Sequence, residues 1–170
     1  MDDQVILARL TELGLELPPP PKPVASYVPV RVSGKLAFVA GQVAMIDGVV
    51  LHAGRLRDAV AGSGEQGAGS KIPSVTVEQG AEAARQAALQ ALSALREALG
   101  SFAPLIGIVQ VTVYVTGEPG FTGHPAVANG ASDLLVEVLG EPGRHARVAI
   151  GVASLPLGTS VEVAVTAEVA

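Results

Sequence analysis

The chain has 170 residues, no cysteine, a formal net charge of −5 and a sequence pI of about 5.1. This length suits one domain with a sizeable core. The absence of cysteine excludes a disulfide framework, a thiol nucleophile and a thiolate metal site. The acidic balance and the lack of a basic run argue against a nucleic-acid surface.

Hydrophobic residues make up 49% of the chain and charged residues only 16%, with a mean hydropathy of +0.45. Because a monomer needs a charged surface, this composition favours an oligomer that buries part of its surface. No apolar run reaches transmembrane length and no secretory leader is evident. We therefore expect a cytoplasmic protein that does not associate with membranes.

The first third of the chain predicts a short helix, an arm and several strands. Residues 3–15 have the pattern of an amphipathic helix, and the proline-rich residues 18–23 follow as an extended arm. We regard residues 1–23 as an extension of a single domain spanning the whole chain. A β-meander with a tight turn at Asp47-Gly48 is expected next. The glycine-rich residues 61–70 predict a long loop that is mobile or functional.

The main helix is predicted to begin after Thr76, with Gln79 at the capping-box position, and to end at Gly100. Its apolar stripe comprises Ala81, Ala84, Ala88, Leu92, Leu95 and Leu99. This stripe has the width of a helix face that lies on a sheet.

A long strand and a second helix are predicted to follow. Residues 105–116 alternate valine with polar residues, as a half-buried strand does. The second helix is expected to start near Pro125 and to end at Gly140. Its apolar stripe comprises Val127, Ala131, Leu134 and Val138. Asn129-Gly130 is a poor pair for a helix interior, which indicates a role other than helix stability.

The final residues, 144–169, consist of two alternating arms around a Leu-Pro-Leu-Gly turn, which predicts a β-hairpin. Arg147 and Glu162 stand among alanine and glycine, on faces that a partner subunit or a ligand would cover. The alternative is that both are exposed charges that protect an edge strand. In a hairpin their levels would differ by about 20 Å, so they would meet only if the strands bend or if two subunits contribute one residue each.

The element order is strands, helix, strand, helix, strands, which predicts an α+β sandwich with two helices on one face of a mixed sheet. The other face would be bare in a monomer, and three such sheets could bury it by closing on one another. No metal site is expected, because the three histidines share no ligand spacing. The nucleophile elbow of serine hydrolases and the dinucleotide-binding fingerprint are also missing.

The residues left for chemistry are Arg147, Glu162, Tyr27 and the strand end at residues 40–42. A guanidinium can donate two parallel hydrogen bonds to a carboxylate. A carboxylate beside a water can act as general base or acid, and a tyrosine can donate a hydrogen bond. This set suits a small organic acid whose neighbouring C=N or C=O bond is attacked by water.

Residues 27–42, 109–115 and 146–167 resemble the RidA/YjgF family, also described as endoribonuclease L-PSP-like. The most specific feature is an arginine followed by Leu-Pro and then Val-Glu-Val, present here as Arg147, residues 155–156 and residues 161–163. The longer N-terminus is similar to that of a subgroup of larger members.

The resemblance implies a chorismate-mutase-like α+β fold, a homotrimer with an inner barrel, and ligand sites in clefts between subunits. It also implies hydrolysis of enamine and imine intermediates, such as 2-iminobutanoate and 2-iminopropanoate, to 2-oxo acids and ammonia without a cofactor or metal. Arg147 would bind the substrate carboxylate, Glu162 would lie near the hydrolytic water, and Tyr27 would lie at the pocket mouth. The remaining substrate-binding positions would be Ala40, Gly41, Asn129 and Ala149.

Two positions differ from the family pattern. Ala40 replaces the serine that deaminating members usually carry, and Ala149 replaces a frequent cysteine. These differences leave two alternatives open: a deaminase-type hydrolase, or a trimeric protein that binds small carboxylates or regulates without catalysis. A ribonuclease or translation inhibitor, as the older family label implies, is less compatible with the acidic charge and the lack of a paired histidine base.

Overall fold

The computed structural model describes residues 1–20, 26–57 and 72–170. The helices in this part of the chain are α1, Asp3–Glu12; α2, Val77–Leu99; and α3, His124–Leu139. None of these helices is long and apolar enough to cross a membrane. The glycine-rich loop predicted at 61–70, and residues 21–23 of the proline-rich arm, lie outside the described residues.

A five-stranded mixed sheet forms the second layer. Its strands in spatial order are β1, Val30–Ser33; β2, Leu36–Val43; β9, Val161–Val169; β7, Leu105–Thr116; and β8, Ala146–Val152. The remaining strands of the described chain form two short pairs. They are β3, Met45–Ile46, with β4, Val49–Val50, and β5, Arg55–Leu56, with β6, Ser74–Val75.

The two long helices cover one face of this sheet. Helix α2 contacts β2 and β9, whereas α3 contacts β7 and β8, and the two helices pack against each other. The predicted α+β sandwich, with two helices on one face of a mixed sheet, is therefore confirmed.

The predicted hairpin at residues 144–169 is wrong. Strand β7 lies between β8 and β9, and it pairs in parallel with β8 and antiparallel with β9. The connection from β8 to β9 therefore crosses an intervening strand, through a 3-10 turn at Pro156–Gly158. Leu157 and Gly158 both have positive φ there, at 58° and 70°. The alternating pattern identified two strands correctly, but alternation carries no information about which neighbour a strand pairs with.

The predicted β-meander is correct only in part. Strands β1 and β2 form an antiparallel hairpin across Gly34. Asp47 and Gly48, with φ of 51° and 80°, make the predicted tight turn between β3 and β4. However, β3 and β4 form a separate ribbon that does not join the main sheet.

Both predicted ends of α2 are confirmed, and its packing explains Gly130. Thr76 and Gln79 form the reciprocal capping box, and Gly100 ends the helix in the left-handed conformation. Where α3 crosses α2, a Cβ on Gly130 would overlap the backbone carbonyl of Ala81. Glycine at this position therefore lets the two helices approach closely, which offsets its poor helix propensity.

The two faces of the sheet differ in what covers them. Toward the helices, valines of β7 and β9 such as Val113 and Val163 are fully buried. On the opposite face Phe38, Val148 and Ile150 remain 45%, 39% and 47% exposed. The sheet therefore has a bare face in the single chain, as its alternating pattern predicts.

Helix α1 is anchored near the C-terminal end of α2. Ile6 and Leu10 are buried, as the amphipathic pattern predicts. The Asp3 carboxylate accepts hydrogen bonds from the Arg96 guanidinium at 3.0 and 3.1 Å and from the Phe102 amide at 2.8 Å. These bonds, chiefly the one from Arg96, lower the pKa of Asp3.

Replacing Gly130 with alanine should destabilise the fold although alanine is the better helix former. The new methyl meets a backbone carbonyl that cannot rotate away, so we expect a loss of about 1–3 kcal/mol in the free energy of unfolding. Urea denaturation at fixed protein concentration measures it. The control is Val136→Ala on the same helix, where the side chain is 37% exposed. Equal stability of Gly130→Ala and the wild type would refute the close helix contact.

Candidate functional site

Arg147 lies on edge strand β8, on the side of the sheet that faces α3. It stands in register with the buried Val111 of β7, so both side chains take the helix-covered face. Its Nη1 donates hydrogen bonds to Asn129 Oδ1 at 2.8 Å and to Ser132 Oγ at 3.2 Å. The structure thus brings together two predicted site residues, Arg147 and Asn129. This contact also explains why the chain has asparagine at position 129 in spite of its poor helix propensity.

The other edge of the Arg147 guanidinium is open. Within the described residues, Nη2 and Nε have no hydrogen-bond acceptor and no carboxylate lies within ion-pair distance. These two nitrogens form the fork that binds a carboxylate through parallel hydrogen bonds. Arg147 is therefore held on one side and available to an anionic ligand on the other.

Small residues continue the same row along β8. Ala149 follows Arg147 on this face, and Gly151 follows Ala149. A Cβ on Gly151 would lie only 2.6 Å from Nε2 of His124, so the imidazole occupies the space that a side chain there would need. The row leaves room beside the guanidinium. We name Arg147, Asn129, Ser132 and Ala149 the arginine half-site.

Ser132 and His145 belong to this cluster although sequence reasoning missed both. Ser132 Oγ lies 3.0 Å from His145 Nε2, and His145 Nδ1 lies 2.6 Å from the carbonyl oxygen of Gly143. Two sequence signals could have indicated them. Ser132 stands three residues after Asn129 on one helix face, and His145, just before β8, stands two residues before Arg147, the spacing that puts side chains of an extended chain on one side.

Glu162 lies in a separate cleft of about 670 Å³. Its strand, β9, is central, and its side chain points to the bare face opposite the helices, in register with Tyr114. The cleft is also lined by predicted site residues from the N-terminal part of the domain, namely Tyr27, Ala40 and Gly41. We name Glu162, Tyr27, Ala40 and Gly41 the glutamate half-site.

Gly41 allows the Glu162 carboxylate to take its position. The pairing of β2 with β9 shifts between Val39 and Gln42, which places Gly41 in an irregular part of the strand. A Cβ on Gly41 would overlap Glu162 Oε1. The carboxylate therefore packs directly on the glycine backbone, and any larger residue would have to displace it.

The environment of Glu162 raises the pKa of its carboxyl group. Within the described residues no group donates a hydrogen bond to its carboxylate, and burial raises its pKa above the usual value. A carboxyl group with a raised pKa exchanges protons closer to neutral pH, which is the property of a general base or acid.

The two half-sites do not meet within one chain. Arg147 pairs with Val111 and Glu162 with Tyr114, so their positions differ by three residues along β7, or about 10 Å, and by two strands, again about 10 Å. They also point to opposite faces of the sheet. The level difference of 20 Å expected for a hairpin is wrong, because β8 and β9 are not a hairpin. Strand bending does not bring Arg147 and Glu162 together either, since β7 pairs regularly with β8 and β9 between these two levels.

The histidines take no part in a metal cluster in the described structure. No group of three or more His, Asp or Glu side chains is arranged there to hold a metal ion. His52 pairs with Glu82 at 2.7 Å, and His124 packs edge-on against Phe121 with ring centroids 5.0 Å apart.

Glu162→Gln should change the pH dependence of stability. Because the folded-state pKa of Glu162 is raised, its contribution to stability is complete below the unfolded-state pKa and is lost as pH rises through the folded-state pKa. Glutamine cannot ionise, so the variant should lose less stability than the wild type over the pH range above the ordinary glutamate pKa of about 4.3. Urea unfolding across this range measures the slope. The matched control is Glu168→Gln, at an exposed position of the same strand. Equal dependence of stability on pH in Glu162→Gln and the wild type would contradict the raised pKa of Glu162.

Comparison with known proteins identifies the family. Residues 7–169 match the family described as "YjgF/chorismate_mutase-like, putative endoribonuclease". A Trypanosoma cruzi protein named TCP17 is 41% identical over 161 residues, covering 93% of this chain and 90% of that protein. A protein of unknown function from Agrobacterium tumefaciens is 36% identical, with a TM-score of 0.83 over 99% of this chain and 94% of that chain. A Shewanella oneidensis protein described as a "putative endoribonuclease" is 30% identical, with a TM-score of 0.83 over 96% of this chain and 99% of that chain. The chain has the α+β chorismate-mutase-like fold and belongs to the RidA/YjgF family.

Proposed function

We propose that this protein hydrolyses reactive 2-imino acids and their enamine tautomers to 2-oxo acids and ammonia, in clefts formed between the subunits of a homotrimer. The observation that carries the proposal is that the described chain holds a guanidinium fork on Arg147 and a carboxyl with a raised pKa on Glu162, each without a hydrogen-bond partner among the described residues. Each half-site supplies what the other lacks, and family membership supports the same division of roles.

A second copy of the chain would complete the site. The half-sites lie on opposite faces of one sheet, so the arginine half-site of one copy has to meet the glutamate half-site of the next. Such a head-to-tail contact closes into a ring when its rotation permits. Closure would also cover the bare face, where Phe38, Val148 and Ile150 are exposed.

In this site the substrate carboxylate binds Nη2 and Nε of Arg147, and the C=N carbon faces Glu162. Glu162 accepts a proton from water as the water oxygen bonds to that carbon, which gives a tetrahedral carbinolamine. Glu162 gives this proton to the nitrogen, which becomes the amino group of the carbinolamine, and then transfers the hydroxyl proton to the same nitrogen. The C–N bond breaks, and ammonia leaves as the C=O bond of the 2-oxo acid forms. Tyr27 donates a hydrogen bond at the mouth of the cleft. The scheme uses no cofactor or metal.

A second candidate is a trimeric protein that binds small carboxylates without catalysis. Ala40 favours it, because Ala40 lines the glutamate half-site where deaminating relatives usually carry a serine hydroxyl. Ribonuclease activity has less support, since the formal net charge of −5 disfavours binding to a polyanion.

Arg147→Ala should abolish the activity. Ammonia release is measured in a mixture where a threonine dehydratase generates 2-iminobutanoate, and the variant should fall to the uncatalysed background. Arg144→Ala is the matched control, because Arg144 is three residues away, exposed, and paired with Glu141 at 2.9 Å. Binding of 2-oxobutanoate without ammonia release by the wild type would instead support the non-catalytic candidate.

Gly41→Ala should impair catalysis while leaving the fold intact. The added methyl displaces the flexible end of the Glu162 side chain, so turnover should fall by about 10²-fold with little change in melting temperature. In a Glu162→Gln background the same glycine substitution should have no further effect. Additive losses in the double variant would show that Gly41 acts through something other than Glu162.

A further inference from the structure

A directed chain of hydrogen bonds leads from the backbone to the Arg147 guanidinium. It runs from the carbonyl of Gly143 to His145 Nδ1 at 2.6 Å, from His145 Nε2 to Ser132 Oγ at 3.0 Å, and from Ser132 Oγ to Arg147 Nη1 at 3.2 Å. Each contact is within hydrogen-bond distance.

With His145 neutral, the chemistry of the groups sets the direction of every bond. A carbonyl oxygen only accepts, so His145 Nδ1 carries the hydrogen and, in the neutral imidazole, Nε2 is the acceptor. The Ser132 hydroxyl therefore donates to Nε2. Since this uses its only hydrogen, Ser132 Oγ presents lone pairs to the guanidinium, which is always a donor.

We infer that His145 is a positioning residue, which acts through Ser132 to hold Arg147 in the orientation that binds a carboxylate. With its Nη1 held by Ser132 and Asn129, the guanidinium keeps its Nη2 and Nε edge free of contacts from the described residues, so that a carboxylate can bind there. Without the imidazole acceptor, the Ser132 hydroxyl is free to rotate and to bond elsewhere, so its oxygen no longer holds Nη1 in one position. The inference rests on the proposed role of Arg147 as the carboxylate-binding group.

Two substitutions at position 145 separate the acceptor from the rest of the ring. His145→Gln places an oxygen near the position of Nε2 and keeps an acceptor for Ser132. His145→Asn places its amide near the position of Nδ1, so it keeps the donor to Gly143 but loses the acceptor. We expect His145→Asn and Ser132→Ala each to weaken 2-oxobutanoate binding about tenfold, the scale of one hydrogen bond to a charged group, and His145→Gln to restore most of the affinity.

Calorimetric titration with 2-oxobutanoate measures these affinities, and His52→Asn is the control for loss of a histidine outside the cluster. His52 has φ of 53°, a conformation that asparagine tolerates. The double variant Ser132→Ala, His145→Asn should bind no more weakly than either single variant, because both remove the same support. Wild-type affinity in both single variants, with binding lost in Arg147→Ala, would overturn the role of His145 and leave the proposed function standing.

A readout without ligand tests the chain if the wild type fails to bind 2-oxobutanoate. In ¹⁵N NMR spectra, rotation of the Arg147 Nη1 group should be slow in the wild type and in His145→Gln, and fast in Ser132→Ala and His145→Asn. Fast rotation in the wild type, or slow rotation in all variants, would overturn the inference whatever the protein does.

Discussion

The position of β7 between β8 and β9 is the constraint on which the rest of the structure depends. Strand β7 pairs Val111 with Arg147 on one side and Tyr114 with Glu162 on the other. These two levels are separated by three residues. Because side chains alternate with a period of two, an odd separation sends Arg147 and Glu162 to opposite faces of the sheet. A shift of one residue in either register would place both on the same face.

The two layers then give each charged group a different environment. Arg147 faces α3, where a helix face can supply side-chain acceptors to its guanidinium. Glu162 faces away from the helices, where nothing in the described chain bonds to its carboxylate and partial burial raises its pKa. Two glycines make this arrangement possible, because the lack of a side chain lets a neighbouring group lie against the glycine backbone. Gly130 lets α3 lie close to α2, and Gly41 lets the carboxylate lie on β2.

The elements predicted well from sequence are those governed by local interactions. The capping box of Thr76 and Gln79, the left-handed end at Gly100 and the tight turn at Asp47-Gly48 each depend on atoms a few residues apart. The error at residues 144–169 is of the opposite kind. Pairing partners of β8 are chosen by contacts with β7, more than thirty residues earlier in the chain, and two-residue alternation is the same whichever strand lies alongside.

The sequence by itself determined the family of the chain, and it predicted a guanidinium, a carboxylate and a phenol as the groups for the chemistry from their surroundings and from the resemblance to that family. It also determined the helix ends and the alternation of each strand, because these arise from backbone and side-chain interactions over a few residues. Only the tertiary structure decided that Arg147 is bonded to Asn129 and Ser132, that His145 supports Ser132, and that Glu162 lies on the other face. The physical reason is that these relations depend on strand order, register and helix approach, which result from contacts between residues distant in the chain.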